Sequence, residues 1–385
     1  MPDQKLPQKQ LSPLWFTSSD SYPSLKGEIR ADVCVIGLGG SGLSAMEAAL
    51  DADLSTVGID ADRISGGAAG RNGGLLLAGT AKFYTQAVTQ LGRDKIRDIY
   101  RITMKEIQRV HHRDPDLVRL NGSVRLASDD TEKDDCRKQL DLLREDGFPA
   151  QWYNGVEGEG ILCSADATFQ PYALNQRNAL RLKKRGARFF EKTPALELDS
   201  GRIKTPSGNI IAKTIVVAVD GGLEQLLPEL AQQVRTVRLQ MLATAPVPSL
   251  QIKHAIYYRN GLDYWHQLPD NRIVIGGGRD HDSHAEKDKR IDTAAAEPSE
   301  EVQDYLISLL QDVVGAPTDT LITHQWAGHV AYHTADLPVF KEVQQGVFVI
   351  GAYNGHGNIL GRLLGREAIN LSRGKPTEIT DLLKT

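Results

Sequence analysis

ADVCVIGLGGSGLSAMEAALDADLSTVGID, residues 31–60, is the stretch on which the fold turns. Ala31–Ile36 is short, apolar and rich in β-branched residues, the pattern of a buried strand. Leu43–Ala52 has a helical pattern, and Ser55–Ile59 reads as a second strand that ends at Asp60. Gly37, Gly39, Gly40, Ser41 and Gly42 lie between the first strand and the helix and fit G-x-G-x-x-G in the context that motif requires. The first glycine permits the tight turn, the second lets backbone approach a pyrophosphate, and the third lets helix pack on strand. The helix N-terminus adds unpaired N–H groups and the positive end of a dipole. Asp60, about 20 residues after the first glycine, can accept both ribose hydroxyls of an adenosine and would repel a 2′-phosphate. Motif, context and acid together predict a dinucleotide site rather than a bare glycine turn, and disfavour NADP.

Working outward, a second glycine group, Gly66-Gly-Ala-Ala-Gly-Arg-Asn-Gly-Gly74, follows the second strand. Its glycines remove side chains and allow positive φ, so the loop can wind close to a cofactor. Ala61, Gly67, Ala68, Gly70, Gly73 and Gly74 are the expected lining, and Arg71 and Asn72 can reach phosphate or ring polar atoms. The plain alternative is a surface loop. Further on, helices are predicted over 94–113, Thr131–Glu145, 171–186 and 299–314, with a strand at Gly122–Ala127. Ala187–Glu191, Ala195–Leu198 and Ile210–Ala212 read as short strands, and Ile215–Val219 as a buried one closed by Asp220-Gly221-Gly222. From 234 to 278 the pattern changes to long strands with turns. Ile256–Arg259 and Tyr264–Gln267 are joined by Asn260-Gly261, a hairpin signal. Gly346–Gly351 is a last buried strand, followed by Asn354-Gly-His-Gly357 and a helix through Asn370.

The 385 residues, 41% hydrophobic and 24% charged, predict two lobes with ample core. A net charge of −4 provides no basic excess for phosphate backbones, so no nucleic-acid partner is expected. No apolar run approaches the ~20 residues of a membrane span, and the polar N-terminus lacks a signal-peptide core. Cys34, Cys136 and Cys163 form no C-x-x-C pair. The expected setting is a reducing cytoplasm.

On these residues the chain resembles the FAD-dependent oxidoreductases of the D-amino-acid oxidase superfamily, which includes glycine oxidase, sarcosine oxidase and γ-glutamylputrescine oxidase. The resemblance is carried by Ala31–Asp60, Ile64–Gly74 (ISGGAAGRNGG), Thr214–Gly222 (TIVVAVDGG) and Gly346–Gly361 (GVFVIGAYNGHGNILG). Gln325–Gly328, Asp336–Pro338 and Asp166–Tyr172 support it. It implies an α/β protein: a Rossmann-type, glutathione-reductase-like FAD-binding domain, discontinuous over 1–95, 150–225 and 325–385. An α+β substrate domain on an antiparallel sheet, 96–149 and 226–324, is inserted in it. It also implies that Gly222 and the turn Gly355, His356, Gly357, Asn358 and Ile359 lie by the cofactor, the turn near the flavin pyrimidine. Backbone donors and a helix dipole there would stabilise negative charge on the N1–C2=O edge. Some relatives attach flavin through a cysteine shortly before the final strand; Trp326–Phe340 has none, so non-covalent FAD is expected.

The implied reaction is oxidation of the C–N bond of a small-molecule amine or amino acid. Hydride passes to flavin N5, the imine is hydrolysed, and oxygen or another electron acceptor takes the electrons. No dedicated base is needed if the amine arrives unprotonated, so activity should rise toward alkaline pH. The GRNGG loop and the non-covalent flavin lean toward the γ-glutamylputrescine oxidase branch. The alternatives are an amino-acid dehydrogenase passing electrons to a non-oxygen acceptor, an NAD-dependent dehydrogenase using the same first unit, and a flavoprotein without catalytic function.

Tyr257, Tyr258, Arg259, Tyr264, Trp265 and His266 crowd the predicted hairpin. Strand alternation lets only one of Tyr257/Tyr258 and one of Tyr264/Trp265 face the site. The expected catalytic side chains are His356, Tyr264, Trp265 and Tyr258, with ordinary packing as the alternative for each. Arg259 adjoins the turn and should face solvent; Arg279 could clamp a carboxylate. Asp280-His-Asp-Ser-His284 offers metal ligands without an evident second shell, and no metal is expected.

Overall fold

The computed structural model describes residues 10–17, 21–282, 297–375 and 378–383. The opening unit forms as strand Gly27–Ile36, helix Gly40–Asp51 and strand Thr56–Ile59. Gly27–Ile36 pairs in parallel with Thr56–Ile59 on one side and Gly208–Val217 on the other. Arg188–Phe190 extends the sheet beyond Thr56–Ile59, and Val347–Gly351 beyond Gly208–Val217, again in parallel. Alternate residues of these strands enter two different cores. Val33, Val35, Val216 and Ile350 pack on Leu43 and Met46 of the first helix and on Leu360 and Leu364 of the C-terminal helix Gly357–Ser372. Cys34, Ile36, Ile215 and Val217 pack, with Ile203 of the same sheet, on Leu223 and Leu230. Cover on both faces is the reason these strands read as continuous apolar runs.

Ile210–Ala212 and Ile215–Val219, expected as separate strands, are one strand, Gly208–Val217. Its first half pairs antiparallel with Arg202–Thr205 and its second half parallel with Val347–Gly351. The polar Lys213-Thr214 dip marks a change of partner.

A second, mostly antiparallel sheet runs in the order Ile322–His333, Val234–Pro246, Arg272–Gly277, Asp263–Gln267, Ala255–Tyr258, Ser123–Leu126, Gly158–Cys163, Ala150–Gly155. One face places Val124, Ile256, Trp265 and Ile275 under helix Glu300–Asp312. The hairpin turn passes through Arg259, Asn260 and Gly261, all at positive φ (48°, 54° and 79°). Strands Ala150–Gly155, Gly158–Cys163 and Ile322–His333 belong to this sheet, which therefore crosses the boundaries expected at 150 and 325. WYNGVEGEG and ITHQWAGHVAYH mix polar and apolar residues too freely to declare their sheet. Residues 10–17 of the lead-in arm lie against this part of the chain, with Gln10 bridged to His324; residues 1–9 are outside the described set. No helix among the described residues is long and apolar enough to cross a membrane.

Candidate functional site

A cavity of about 1030 Å³ is lined both by the carboxyl ends of the parallel strands and by residues of the second sheet. Gly37 stands at its floor with φ 94°, and a Cβ there would come within 2.6 Å of Ala218 O. Gly42 lies just behind, where a Cβ would collide with Gly37 O, so its task is packing. Gly39 caps the helix Gly40–Asp51 without any side-chain acceptor, and Gly39, Gly40 and Ser41 line the cavity. Asp60 also lines it; Oδ2 accepts from Leu38 N (2.9 Å) and Oδ1 from Asp62 N (2.9 Å). Burial pushes its carboxyl up to about 6 in spite of these donors.

Arg362, absent from the sequence-based candidates, reaches this end of the cavity from the C-terminal helix. It is 3% exposed. Its Nη2 donates to Asn175 Oδ1 (2.7 Å), while its Nε has no hydrogen-bond partner among the described residues. A Cβ on Gly40 would lie 3.6 Å from Nη2, which puts the guanidinium beside the uncapped helix N-terminus. Glu106, Glu47 and Asp114 act on it only through space. Each is bonded elsewhere, to Arg366 (2.6 Å), Arg113 (2.7 Å) and Arg181 (2.7 Å) respectively. Burial lowers Arg362 to about 10. Asn175 in turn donates to Ser65 Oγ (2.9 Å) and Ala69 O (3.3 Å), tying this corner to the second glycine group.

That group is a loop with a short helix, Ala68–Arg71, held by side chains from three distant segments. Trp15 Nε1 donates to Asn72 O (2.8 Å) and Trp326 Nε1 to Arg71 O (2.8 Å). The Asn72 and Asn358 amides exchange two hydrogen bonds (3.1 Å each), and Asn358 Nδ2 also donates to Leu75 O (2.9 Å). The second glycine loop and the C-terminal turn are thereby joined. Ala61, Gly67, Ala68, Arg71, Asn72, Gly73 and Gly222 line the cavity; Gly70 and Gly74 sit behind its wall. Arg71 spends Nε on Gly66 O (2.7 Å) and Nη1 on Ala327 O (3.1 Å), so it braces the loop against strand Ile322–His333.

The turn before helix Gly357–Ser372 carries Ala352 and Asn354 at φ 51° and 55°, conformations that cost roughly 1–3 kcal/mol each. Asp220 holds it there: its carboxylate accepts from Tyr353 N (3.3 Å) and Ala331 N (3.2 Å). Asn354 Oδ1 accepts from His333 N (2.6 Å). Gly355, His356, Gly357, Asn358 and Ile359 all line the cavity. Burial lowers the His356 imidazole to about 4, which keeps it neutral at the helix N-terminus near pH 7.

The hairpin contributes a roof. Tyr257 and Tyr264 are cross-strand partners whose rings stack at 6.0 Å, and both line the cavity. Trp265 and Tyr258, expected to face the site, lie on the opposite side of the sheet. Trp265 is 1% exposed beneath helix Glu300–Asp312, and Tyr258 meets it edge-on at 5.9 Å. The helix claims that face, and alternation then commits their neighbours to the cavity. Tyr332 and Arg279 complete the roof, the guanidinium 5.0 Å from the ring centroid. His266 is buried behind it, with Nε2 2.8 Å from Gly73 O. Arg259, expected in solvent, is paired with Asp263 (2.6 Å) and Asp280 (3.0 Å). Asp282 pairs with Arg238 (3.0 Å); Ser283 and His284 fall outside the described residues. Of the residues missed, Arg362 left a signal, a cation set within the apolar run Ile359, Leu360, Leu363, Leu364. Tyr332 and Asn175 left none.

A glycine turn at strand ends, an uncapped helix and an acid after the second strand define a dinucleotide-binding protein of the doubly wound class. The buried Arg362, with a donor to spare beside that helix, fits a phosphate-bearing cofactor. A family model described as FAD-dependent oxidoreductase matches residues 32–371, and the chain belongs to this family. Its cofactor is therefore FAD, which sets aside the nicotinamide alternative. Two curated relatives are each 25% identical. The γ-glutamylputrescine oxidoreductase of Escherichia coli is matched over 92% of this chain and 86% of its own length. A probable oxidoreductase, OrdL, of Rhizobium meliloti is matched over 94% and 87%. Among solved structures, glycine oxidase from Geobacillus kaustophilus superposes with a TM-score of 0.73 at 19% identity, covering 91% of this chain and 96% of that one. L-amino acid deaminase from Proteus vulgaris gives 0.76 at 16%, covering 96% and 99%.

Proposed function

We propose that this protein oxidises the C–N bond of an amine or amino acid, with FAD held non-covalently. The observation that carries the reading is the roof: Tyr257, Tyr264 and Tyr332 line one cavity together with the turn at Gly355–Ile359, with Arg279 against Tyr332. FAD, when bound, supplies the two-electron acceptor. Gly37–Ser41 and Arg362 would hold its pyrophosphate, Asp60 its ribose, and Gly73, Asn358 and the turn after Asn354 its ring system. Arg279 would hold a substrate carboxylate by a charge-assisted bond. The tyrosines would exclude water and orient the amine, and the helix Gly357–Ser372 would offer backbone donors to negative charge on the reduced cofactor. Neutral His356 offers a hydrogen bond without a competing positive charge. The γ-glutamylputrescine oxidoreductase relative suggests an extended amine among the substrates.

The test is an anaerobic flavin-bleaching screen of the FAD-loaded protein across amines and amino acids, with the rate followed against pH. Bleaching by an amine, faster at alkaline pH as the neutral amine accumulates, is the expected outcome. A flavin that no amine bleaches, or a rate indifferent to pH, rejects the reading. Peroxide formed in aerobic turnover separates an oxidase from a dehydrogenase serving another acceptor.

A further inference from the structure

Beyond the tyrosine roof the cavity continues into a chamber that C–N oxidation itself does not require. Phe83, Tyr100, Met104, Leu143 and Phe148 wall it. It is continuous with the roof at Gly261, where a Cβ would lie 3.3 Å from the Tyr257 ring and 3.5 Å from the Phe83 ring. Asp166 also lines it and is 5% exposed. One oxygen accepts from Ser123 Oγ (2.6 Å), the other from Ala78 N (2.9 Å). A carboxylate has about four acceptor positions, so two remain. No Lys, Arg or His pairs with Asp166 among the described residues. The chamber's own guanidinium, Arg125, is committed to Gln139 (2.7 Å), Asn260 (3.1 Å) and Asp135 (2.7 Å), and lies 3.7 Å from the Phe83 ring centroid. Burial raises Asp166 to about 6. A neutral amide could anchor Ser123 and Ala78 equally well, so a buried, uncompensated charge is an expensive way to fix a loop.

We propose that this chamber is a distal subsite for an extended amine, in which Asp166 receives a second ammonium group at the far end of the substrate. The apolar and aromatic wall suits a polymethylene chain, and ring faces attract an ammonium. Arg279, beside Tyr332, and Asp166, in the chamber, thus offer a substrate one cationic and one anionic contact in the same cavity. The inference rests on the reading that the site oxidises an amine.

The test uses FAD-loaded protein and matched pairs of linear amines that differ only in ending in ammonium or methyl. Anaerobic bleaching yields a saturation constant and a limiting rate for each. The ammonium-ended member should saturate at roughly 10- to 100-fold lower concentration, the worth of one charge-assisted hydrogen bond. Asp166→Asn should erase that preference. Met104→Trp, which leaves Asp166 and its partners in place, should weaken long ammonium-ended amines relative to short ones and guards against a misfolded D166N. Equal constants within pairs, or a preference that survives D166N, overturn the proposal. If no amine bleaches the flavin, the oxidation reading falls alone. Calorimetry with a linear diamine then decides the subsite: a heat lost in D166N supports it, and no difference overturns it.

Discussion

Replacing Arg362 by methionine separates cofactor binding from folding. Among the described residues the guanidinium donates to Asn175, and burial lowers it from the ordinary arginine value to about 10. That gap corresponds to roughly 3 kcal/mol of penalty on the charged form. Methionine removes the penalty but strands Asn175 Oδ1, which costs ~1–3 kcal/mol. The two nearly cancel, so the apoprotein should keep its stability within about 1 kcal/mol. FAD binding should suffer far more. Losing one or two charge-assisted bonds to phosphate removes roughly 3–4 kcal/mol and raises Kd by about 10²–10³. Titration of apoprotein with FAD, followed by quenching of flavin fluorescence, measures the loss. Melting with and without FAD shows where it falls, because ligand stabilisation shrinks as Kd rises. Unchanged FAD affinity in R362M, or an apoprotein destabilised as much as the holoprotein, would refute the assignment of Arg362 to the phosphate.

Trp265→Ala should cost ~3–5 kcal/mol in denaturant unfolding and leave the saturation constant of the surviving holoprotein unchanged, because the indole packs under a helix. Tyr264→Phe should do the reverse, holding stability within about 1 kcal/mol while slowing flavin bleaching; equal kinetic effects from the two would contradict the orientation of the hairpin. Asn72→Ala and Asn358→Ala should be coupled by more than ~0.5 kcal/mol in a double-mutant cycle of unfolding, and simple additivity would mean the amide pair is incidental. His266 is held at about 4 in the folded chain against an ordinary 6.5, so the folded state binds fewer protons in that window. It therefore costs stability as pH falls from about 6.5 to 4, by up to roughly 3 kcal/mol. His266→Asn should flatten that loss in apoprotein unfolding at about pH 7 and about pH 5, and an unaltered difference would reject it.

What the sequence declares is local. Gly37–Gly42 must turn between a strand and a helix, and Asn260-Gly261 must reverse a hairpin, because few other residues adopt those backbones. The strand and helix of Ala31–Ala52 form within a few residues of expectation, Gly27–Ile36 and Gly40–Asp51. The facing of the hairpin is another matter. Alternation says that one of Tyr257/Tyr258 and one of Tyr264/Trp265 points inward, and it stops there. The choice falls to helix Glu300–Asp312, which covers one face of the sheet from beyond the hairpin. Strand Ile322–His333 was illegible for a related reason. Its residues satisfy the second sheet, the brace of Arg71 and the turn at Asn354 at once, so no single period survives.

The same distinction bears on how the site is held. Its loops are fixed to one another by uncharged bonds that exist without a ligand: Trp15 and Trp326 on the backbone of Asn72 and Arg71, and Asn72 on Asn358. Asp220 and Asn354 over-determine a turn that would otherwise relax from positive φ. Such a cradle costs little to keep in order when FAD arrives, which is the condition for tight binding. Two charges that are almost fully buried stand apart from this framework, Arg362 at the helix N-terminus and Asp166 in the far chamber. Each lines the cavity without an oppositely charged partner in contact, and in each case burial favours the neutral form. Groups that the fold itself does not neutralise are the ones a ligand can compensate: on the readings proposed above, a phosphate for the first and an ammonium for the second.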